Sequence, residues 1–255
     1  NNHGQVGKNI VFSGGGTGRG DFFFEDLTKQ QVAELKQVGP FINRAIQDWY
    51  EIGDPAFTGD NKNSKAKGGT IDFLFYQNPV SRAMGTQWDE NENLVWGEQL
   101  KQNLKTEFTT YKTLRFEVFN DWLPNDDCFV SLDEDVTDKW GDPVAKVRIG
   151  AHQQDVEVGA YIAQKAEKLL EAMGATNVSS SVSSAPPSNL QGGGCRFGND
   201  IKTSVLNKYC QAHEVDNLFV TDGSFMPTGG SVPYTYTIFA NAFRVADHIK
   251  KRWLG

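Results

Sequence analysis

The sequence predicts a mixed α/β (α+β) chain in which an antiparallel sheet is accompanied by helices, and three observations point there. Short segments at 71–76 (IDFLFY), 114–119 (LRFEVF), 129–132 (FVSL) and 145–149 (AKVRI) include several that alternate apolar with polar, the pattern of a sheet with one wet face. Between Asp155 and Met173, the apolar residues Val158, Ile162, Ala166, Leu169 and Met173 recur at helical spacing, and Gly174 marks the stop. From Asn217 to Trp253 an apolar run, a glycine-rich turn and an amphipathic stretch follow one another, which is the order strand, loop, helix.

Taken from the N-terminus, the chain opens NNHGQVGKNIVFSGGGTGRG. Its glycines suggest a dinucleotide-binding turn, but the i, i+2, i+5 spacing fails: from Gly14 the last position is Arg19, and from Gly16 it is Asp21. No second strand ending in a ribose-binding acid follows, so the segment reads as a flexible loop. A helical pattern then runs from a Thr28 N-cap to about Tyr50, divided at Gly39-Pro40. Residues 53–69 are polar and glycine-rich and read as an exposed loop, and Asp138 to Pro143 supplies a turn between the last two strands. Ser179 to Ser184 reads as a strand leading into the glycine block at 192–194.

Composition removes several function classes. A chain of 255 residues buries a sizeable core as one large domain or two small ones. The net charge of −7, with no stripe of Lys and Arg, argues against a nucleic-acid partner. No apolar run is long enough to span a membrane. Cys128, Cys195 and Cys210 lack CxxC spacing, and the histidines form no HxxxH pair, so no metal is implied. The acidic run Asp133 to Asp138 lacks the twelve-residue calcium-loop pattern and reads as a solvated hairpin edge.

The C-terminal stretch carries the chemistry. Leu218 to Val220 ends at Asp222-Gly223, a turn runs from Pro227 to Pro233, and a helix opens near Thr235. Ile238, Ala242, Val245 and Ile249 share one face of that helix, and Lys250, Lys251 and Arg252 complement the dipole at its end. Its N-terminus therefore faces whatever the glycine loop encloses, offering unpaired N–H groups suited to a phosphate or an anionic ring.

Residues 217–247, NLxVxDGSxxPTxGxxxxTxTIxANAxRxAD, resemble the C-terminal signature of the glucose-methanol-choline (GMC) oxidoreductases. The GGCRFG run at 193–198, with Asp200, Ser204, Val205 and His213, is similar to the block that precedes it, and GQVGKN at 4–9 resembles the family's mid-chain GxVGKN segment. The branch that this resembles most is that of the gluconate, fructose and glucoside dehydrogenases. The resemblance implies an FAD cofactor and a sugar or polyol substrate. It also implies that this stretch is the back portion of a longer or split enzyme, whose nucleotide-binding half would be a partner in cis or trans. An electron-acceptor subunit is a further expected partner. A secretory signal would lie in the preceding part, which leaves periplasmic and cytoplasmic locations both open.

On this resemblance residues 1–62 and 153–255 form a partial FAD-binding domain, and residues 63–152 a substrate-binding antiparallel sheet. Asp222 and Gly223 are expected along the flavin's ribityl and phosphate portion, and Pro233, Tyr234 and Thr235 near its ring. Asp-Gly is equally a common turn. The family's histidine before the glycine block is replaced by Asn189 or Leu190, and its His or Asn before the helix by Pro233. Neither an amide nor a proline acts as a base at neutral pH. Either the base is gone, or a group such as Tyr234 or His213 substitutes for it, His213 reading as structural. The catalytic candidates are thus Asn189 and Tyr234. A carbohydrate-binding remnant without redox chemistry is the second reading, and an NAD-dependent enzyme is disfavoured by the glycine spacing.

Overall fold

In the computed structural model, which describes residues 3–37, 42–59, 64–74, 79–150, 152–185 and 190–253, the strands gather into two main antiparallel sheets. Strands β1 (Lys8–Phe12) and β2 (Gly16–Phe23) follow closely in sequence yet belong to different sheets. Helix α1 (Lys29–Leu35) starts at a capping box. The Thr28 hydroxyl accepts from the Gln31 N–H at 3.3 Å, and the Gln31 side chain accepts the Thr28 N–H at 2.9 Å. Then come β3 (Ile42–Ile46), β4 (Glu51–Ile52), α2 (Pro55–Thr58), β5 (Ala66–Lys67) and β6 (Gly69–Leu74). Helices α3 (Pro79–Gly85) and α4 (Gly97–Thr109) lead into β7 (Tyr111–Asn120), and β8 (Phe129–Thr137) and β9 (Pro143–Arg148) form a hairpin. Helix α5 (Gln153–Ala172), β10 (Thr176–Val182), β11 (Gln191–Gly194), a 3-10 turn at Gly223–Phe225 and α6 (Thr235–Trp253) complete the chain.

The larger sheet has the order β10-β2-β7-β6-β3, and the smaller β11-β1-β8-β9. Alternation along β6 and β7 sends Ile71, Phe73, Leu114, Phe116 and Val118 to one face. There they pack on Val158, Ile162, Ala163, Ala166 and Leu170 of α5. Each large apolar side chain buried this way stabilises the fold by about 1.5–3 kcal/mol. Gly174, at φ 92°, ends α5 by turning the chain into β10. A second apolar cluster joins Leu206, Cys210, Phe225, Met226, Tyr234 and Val245 under α6.

A buried polar relay joins the residue before β8 to the start of α5. The Cys128 Sγ lies 3.0 Å from His152 Nε2, and His152 Nδ1 lies 2.7 Å from Asp155 Oδ2. Burial pushes the Cys128 thiol up, so it stays protonated beside the imidazole. The other Asp155 oxygen accepts the Leu123 N–H at 3.3 Å, so the base of β8 is tied to the start of α5.

Several expectations are corrected. The helical pattern beyond Gly39-Pro40 is strand: Arg44 and Ile46 pair with Phe73 and Ile71 of β6, and sheet pairing outweighs local helical spacing. Residues 38–41, with that Gly-Pro step, lie outside the described residues. The glycines at 16, 18 and 20 form β2, not a loop, because its neighbours crowd it: a Cβ on Gly18 would stand 2.2 Å from the Phe116 ring. Within 53–69 the chain forms the short α2 and β5. Leu218 to Val220 is no full strand; Phe219 makes a single bridge to Gln211. In the sheets themselves, β2 and β10 sit together with β6 and β7, and β8 and β9 with β1 and β11.

Candidate functional site

The conformation before α6 is built by short polar contacts. Asp222 Oδ1 accepts the Ser224 N–H at 2.8 Å and also the Ser224 hydroxyl, which winds Gly223–Phe225 into the 3-10 turn. Backbone bonds from Cys195 N–H to the Ser224 carbonyl (3.0 Å) and from Phe197 N–H to the Phe225 carbonyl (2.9 Å) lash this turn to the end of β11. Gly223 packs so closely that an added Cβ would lie 3.1 Å from both the Gln191 carbonyl oxygen and Ile238.

Further along, a Cβ on Gly229 would stand 2.1 Å from the Phe12 carbonyl oxygen. The Gly230 N–H donates to Asp121 Oδ1 at 2.8 Å, and the Lys67 ammonium stands 3.6 Å from Oδ2. That distance permits attraction but no hydrogen bond, and Oδ2 has no hydrogen-bond partner. Burial raises the Asp121 pKa above the usual carboxylate range, against the opposing pull of Lys67 and of the Gly230 and Gly229 amides. Asp121 thus anchors the glycine loop, a role that nothing in the sequence NDW (120–122) signals.

Tyr234 closes the loop. Its side chain is 3 % exposed and its hydroxyl donates to the Leu190 carbonyl. Burial, with Asp121 nearby, drives its pKa far upward. Its own carbonyl accepts the Ile238 N–H at 3.1 Å, so Tyr234 is where α6 begins. The amides of Thr235, Tyr236 and Thr237 then have no preceding helical carbonyl to bond.

Beside the 3-10 turn lies a cleft of about 1000 Å³ walled by Val6, Gly7, Ile10, Gly192–Cys195, Val130–Leu132 and Asp222–Ser224. Much of that wall is backbone. A Cβ on Gly192 would stand 2.9 Å from the Gly223 carbonyl oxygen, and Gly193 (φ 74°) and Gly194 (φ 88°) take conformations that favour glycine. Cys195 is a free thiol here, its pKa pushed up by burial and then by the Asp222 charge.

Of the residues expected at the site, Asp222 and Gly223 line this cleft; Pro233, Tyr234 and Thr235 do not. The two groups adjoin through Ile238, 3.1 Å from where a Gly223 Cβ would be, and through the Tyr234 hydroxyl, 3.5 Å from where a Gly192 Cβ would be. Asn189 lies outside the described residues, although its neighbour Leu190 is the partner of Tyr234. The Tyr234 hydroxyl is engaged as a donor to the Leu190 carbonyl. His213 is held 3.0 Å from the Ser204 hydroxyl. Residues 192–194 were visible as part of the glycine block; the contribution of β8 to the cleft was not, because it depends on β1 pairing with β8. Among the described residues no group of His, Cys, Asp and Glu is arranged to hold a metal, and no helix is long and apolar enough to cross a membrane.

Comparison with known proteins adds a second line. Residues 124–242 match a family model described as GMC oxidoreductase, of its C-terminal part. The 2-methyl-1,2-propanediol dehydrogenase of Mycolicibacterium austroafricanum is 35% identical over 159 residues, covering 62% of this chain and 28% of that protein. The gluconate 2-dehydrogenase flavoprotein of Pantoea cypripedii is 21% identical over 262 residues, 99% of this chain and 40% of that protein. The crystal structure of a formate oxidase shares the fold, at TM-score 0.58 and 15% identity, over 98% of this chain and 48% of that one. The chain therefore spans less than half the length of each.

Proposed function

We propose, from the match of residues 124–242 to the GMC oxidoreductase family model and the similarity to its dehydrogenase relatives, that this chain is the C-terminal portion of such an enzyme and supplies the substrate sheet and one wall of the flavin site in an FAD-dependent enzyme oxidising a CH–OH group of a sugar, polyol or glycoside. The observation that carries this is the glycine-walled cleft beside Asp222 and Gly223. Its volume and bare backbone suit a cofactor that must approach the main chain closely. Bound there, FAD would supply the chemistry of accepting hydride from the carbinol carbon.

The chain's own residues hold and orient. Gly192–Gly194 and Gly223 let backbone approach the cofactor, and Asp222, already folded over Ser224, presents a carboxylate for ribityl hydroxyls. The helix start at Pro233, Tyr234 and Thr235 directs positive dipole charge toward developing negative charge. Tyr234 fixes that helix end by its bond to Leu190. A nucleotide-binding half, in cis or trans, would cover the open face of α6, where Tyr236, Phe239 and Phe243 are exposed at 87%, 58% and 79%.

A second reading is favoured by two features: Pro233 has no titratable group, and the Tyr234 hydroxyl is occupied. On that reading the chain is a carbohydrate-binding remnant. Reconstitution decides between them. Joined with a nucleotide-binding half, the chain is expected to turn yellow and reduce a dye when a sugar or polyol is added, and Asn189→His to raise turnover by orders of magnitude. Failure to take up flavin in every reconstitution, with carbohydrate binding retained, would select the remnant.

A further inference from the structure

The larger sheet has two faces, and α5 covers only one. On the other, the register aligns Asp72, Glu117, Thr17 and Ser181 in one row across β6, β7, β2 and β10, and Leu74, Arg115, Arg19 and Ser179 in the next. Arg19 and Arg115 are thus directly opposite one another. Like charges at that separation repel. Both are exposed, and neither makes an ion pair or hydrogen bond with the described residues. The neighbouring Arg82 differs: Glu107 pairs with it at 3.0 Å, and it lies 4.4 Å from the centre of the Phe108 ring. Asp21, on the same face, is held by the Thr113 hydroxyl at 2.6 Å and by Asn177 at 3.2 Å. In a chain of net charge −7, two adjacent guanidinium groups have no ion-pair partner among the described residues.

Two depressions of about 410 and 390 Å³ meet at this pair. The first is floored by Thr17, Arg19, Arg115, Glu117 and Ser179–Ser181, so cationic forks stand at one end and hydroxyl-binding groups at the other. We infer that this face binds a carboxylate-bearing polyol, with Arg19 and Arg115 clasping the carboxylate while Glu117, Thr17 and Ser181 meet the hydroxyls. Planar guanidinium forks match a carboxylate two bonds at a time, and an anion between them relieves their repulsion. Burial, and then the Asp72 charge opposite, raises the Glu117 pKa, and the Glu117 carboxyl oxygens accept from hydroxyls. As a statement about substrate, this rests on the polyol reading above; as a statement about binding, it does not.

Calorimetric titration of the chain with gluconate, and with glucitol as its neutral counterpart of equal length, tests it. Gluconate is expected to bind at least about ten-fold more tightly, the strength of one charge-assisted pair, and to weaken as salt rises. Arg19→Gln and Arg115→Gln should each lower gluconate affinity by about ten-fold or more and leave glucitol unchanged, with Arg115→Lys intermediate. Without ligand, Arg115→Gln should melt no lower than the parent, which separates lost binding from lost folding. Equal binding of glucitol, no binding of gluconate, or variants that keep full affinity overturns the inference. Arginine-dependent gluconate binding in a reconstituted protein that takes up flavin but reduces no dye would instead defeat the redox reading and leave the anion site standing.

Discussion

The hydroxyls of Tyr234 and Tyr111 are both placed where losing a proton is costly. Tyr234 is buried against the Leu190 carbonyl, and burial followed by the Glu107 hydrogen bond raises Tyr111 to about 12. Unfolded tyrosine titrates near about 10. The folded state therefore keeps protons that the unfolded state releases, so this stability is complete below pH of about 10 and is lost as pH climbs through the folded values. Urea unfolding between pH 8 and pH 11.5 should show the decline, and the double variant Tyr111→Phe with Tyr234→Phe should flatten it; an unchanged slope would place its source elsewhere. At neutral pH Tyr234→Phe should cost about 1–3 kcal/mol, because the Leu190 carbonyl loses its donor. The residue type at 234 was legible as part of a motif. Its direction was not, because Leu190 is far away in sequence.

Among the elements, β2 best separates local pattern from packing. Glycines at 16, 18 and 20 argue for a loop by propensity, yet the strand forms because β10 and β7 flank it and Phe116 fills the space where side chains would be. Gly18→Ala is expected to cost about 1–3 kcal/mol, as overpacking does. Gly53→Ala, with nothing within 4 Å of its Cβ, should stay within about 0.5 kcal/mol. Denaturant titrations of the two variants check the contrast, and equal effects would mean that Phe116 yields freely. The long helices needed no such help: α5 and α6 repeat their apolar residues at helical spacing over five turns, and both begin and end within about two residues of expectation, the usual uncertainty of a helix boundary.

For the molecule as a whole, the open aromatic face of α6 is the feature that the chain leaves unsatisfied by itself. Phe243 is largely exposed, so Phe243→Glu should alter the chain's own stability by no more than about 0.5 kcal/mol. The same change should abolish flavin uptake when the nucleotide-binding half is supplied, because a charge would be buried in that interface. Absorbance near the flavin bands, measured beside a thermal melt of the chain alone, checks both. Full flavin uptake would move the docking surface elsewhere.

Residue pattern by itself determined the mixed α and β composition, the two long helices, the glycine block and the family signature, because each is written in neighbouring residues whose spacing has a local physical meaning. Tertiary structure alone decided that β1 and β2 part into different sheets, that Asp121 holds the glycine loop, that Tyr234 is tethered, and that Arg19 meets Arg115. Those outcomes depend on strand register, and register couples residues separated by a hundred positions or so through backbone hydrogen bonds that no short stretch of sequence specifies.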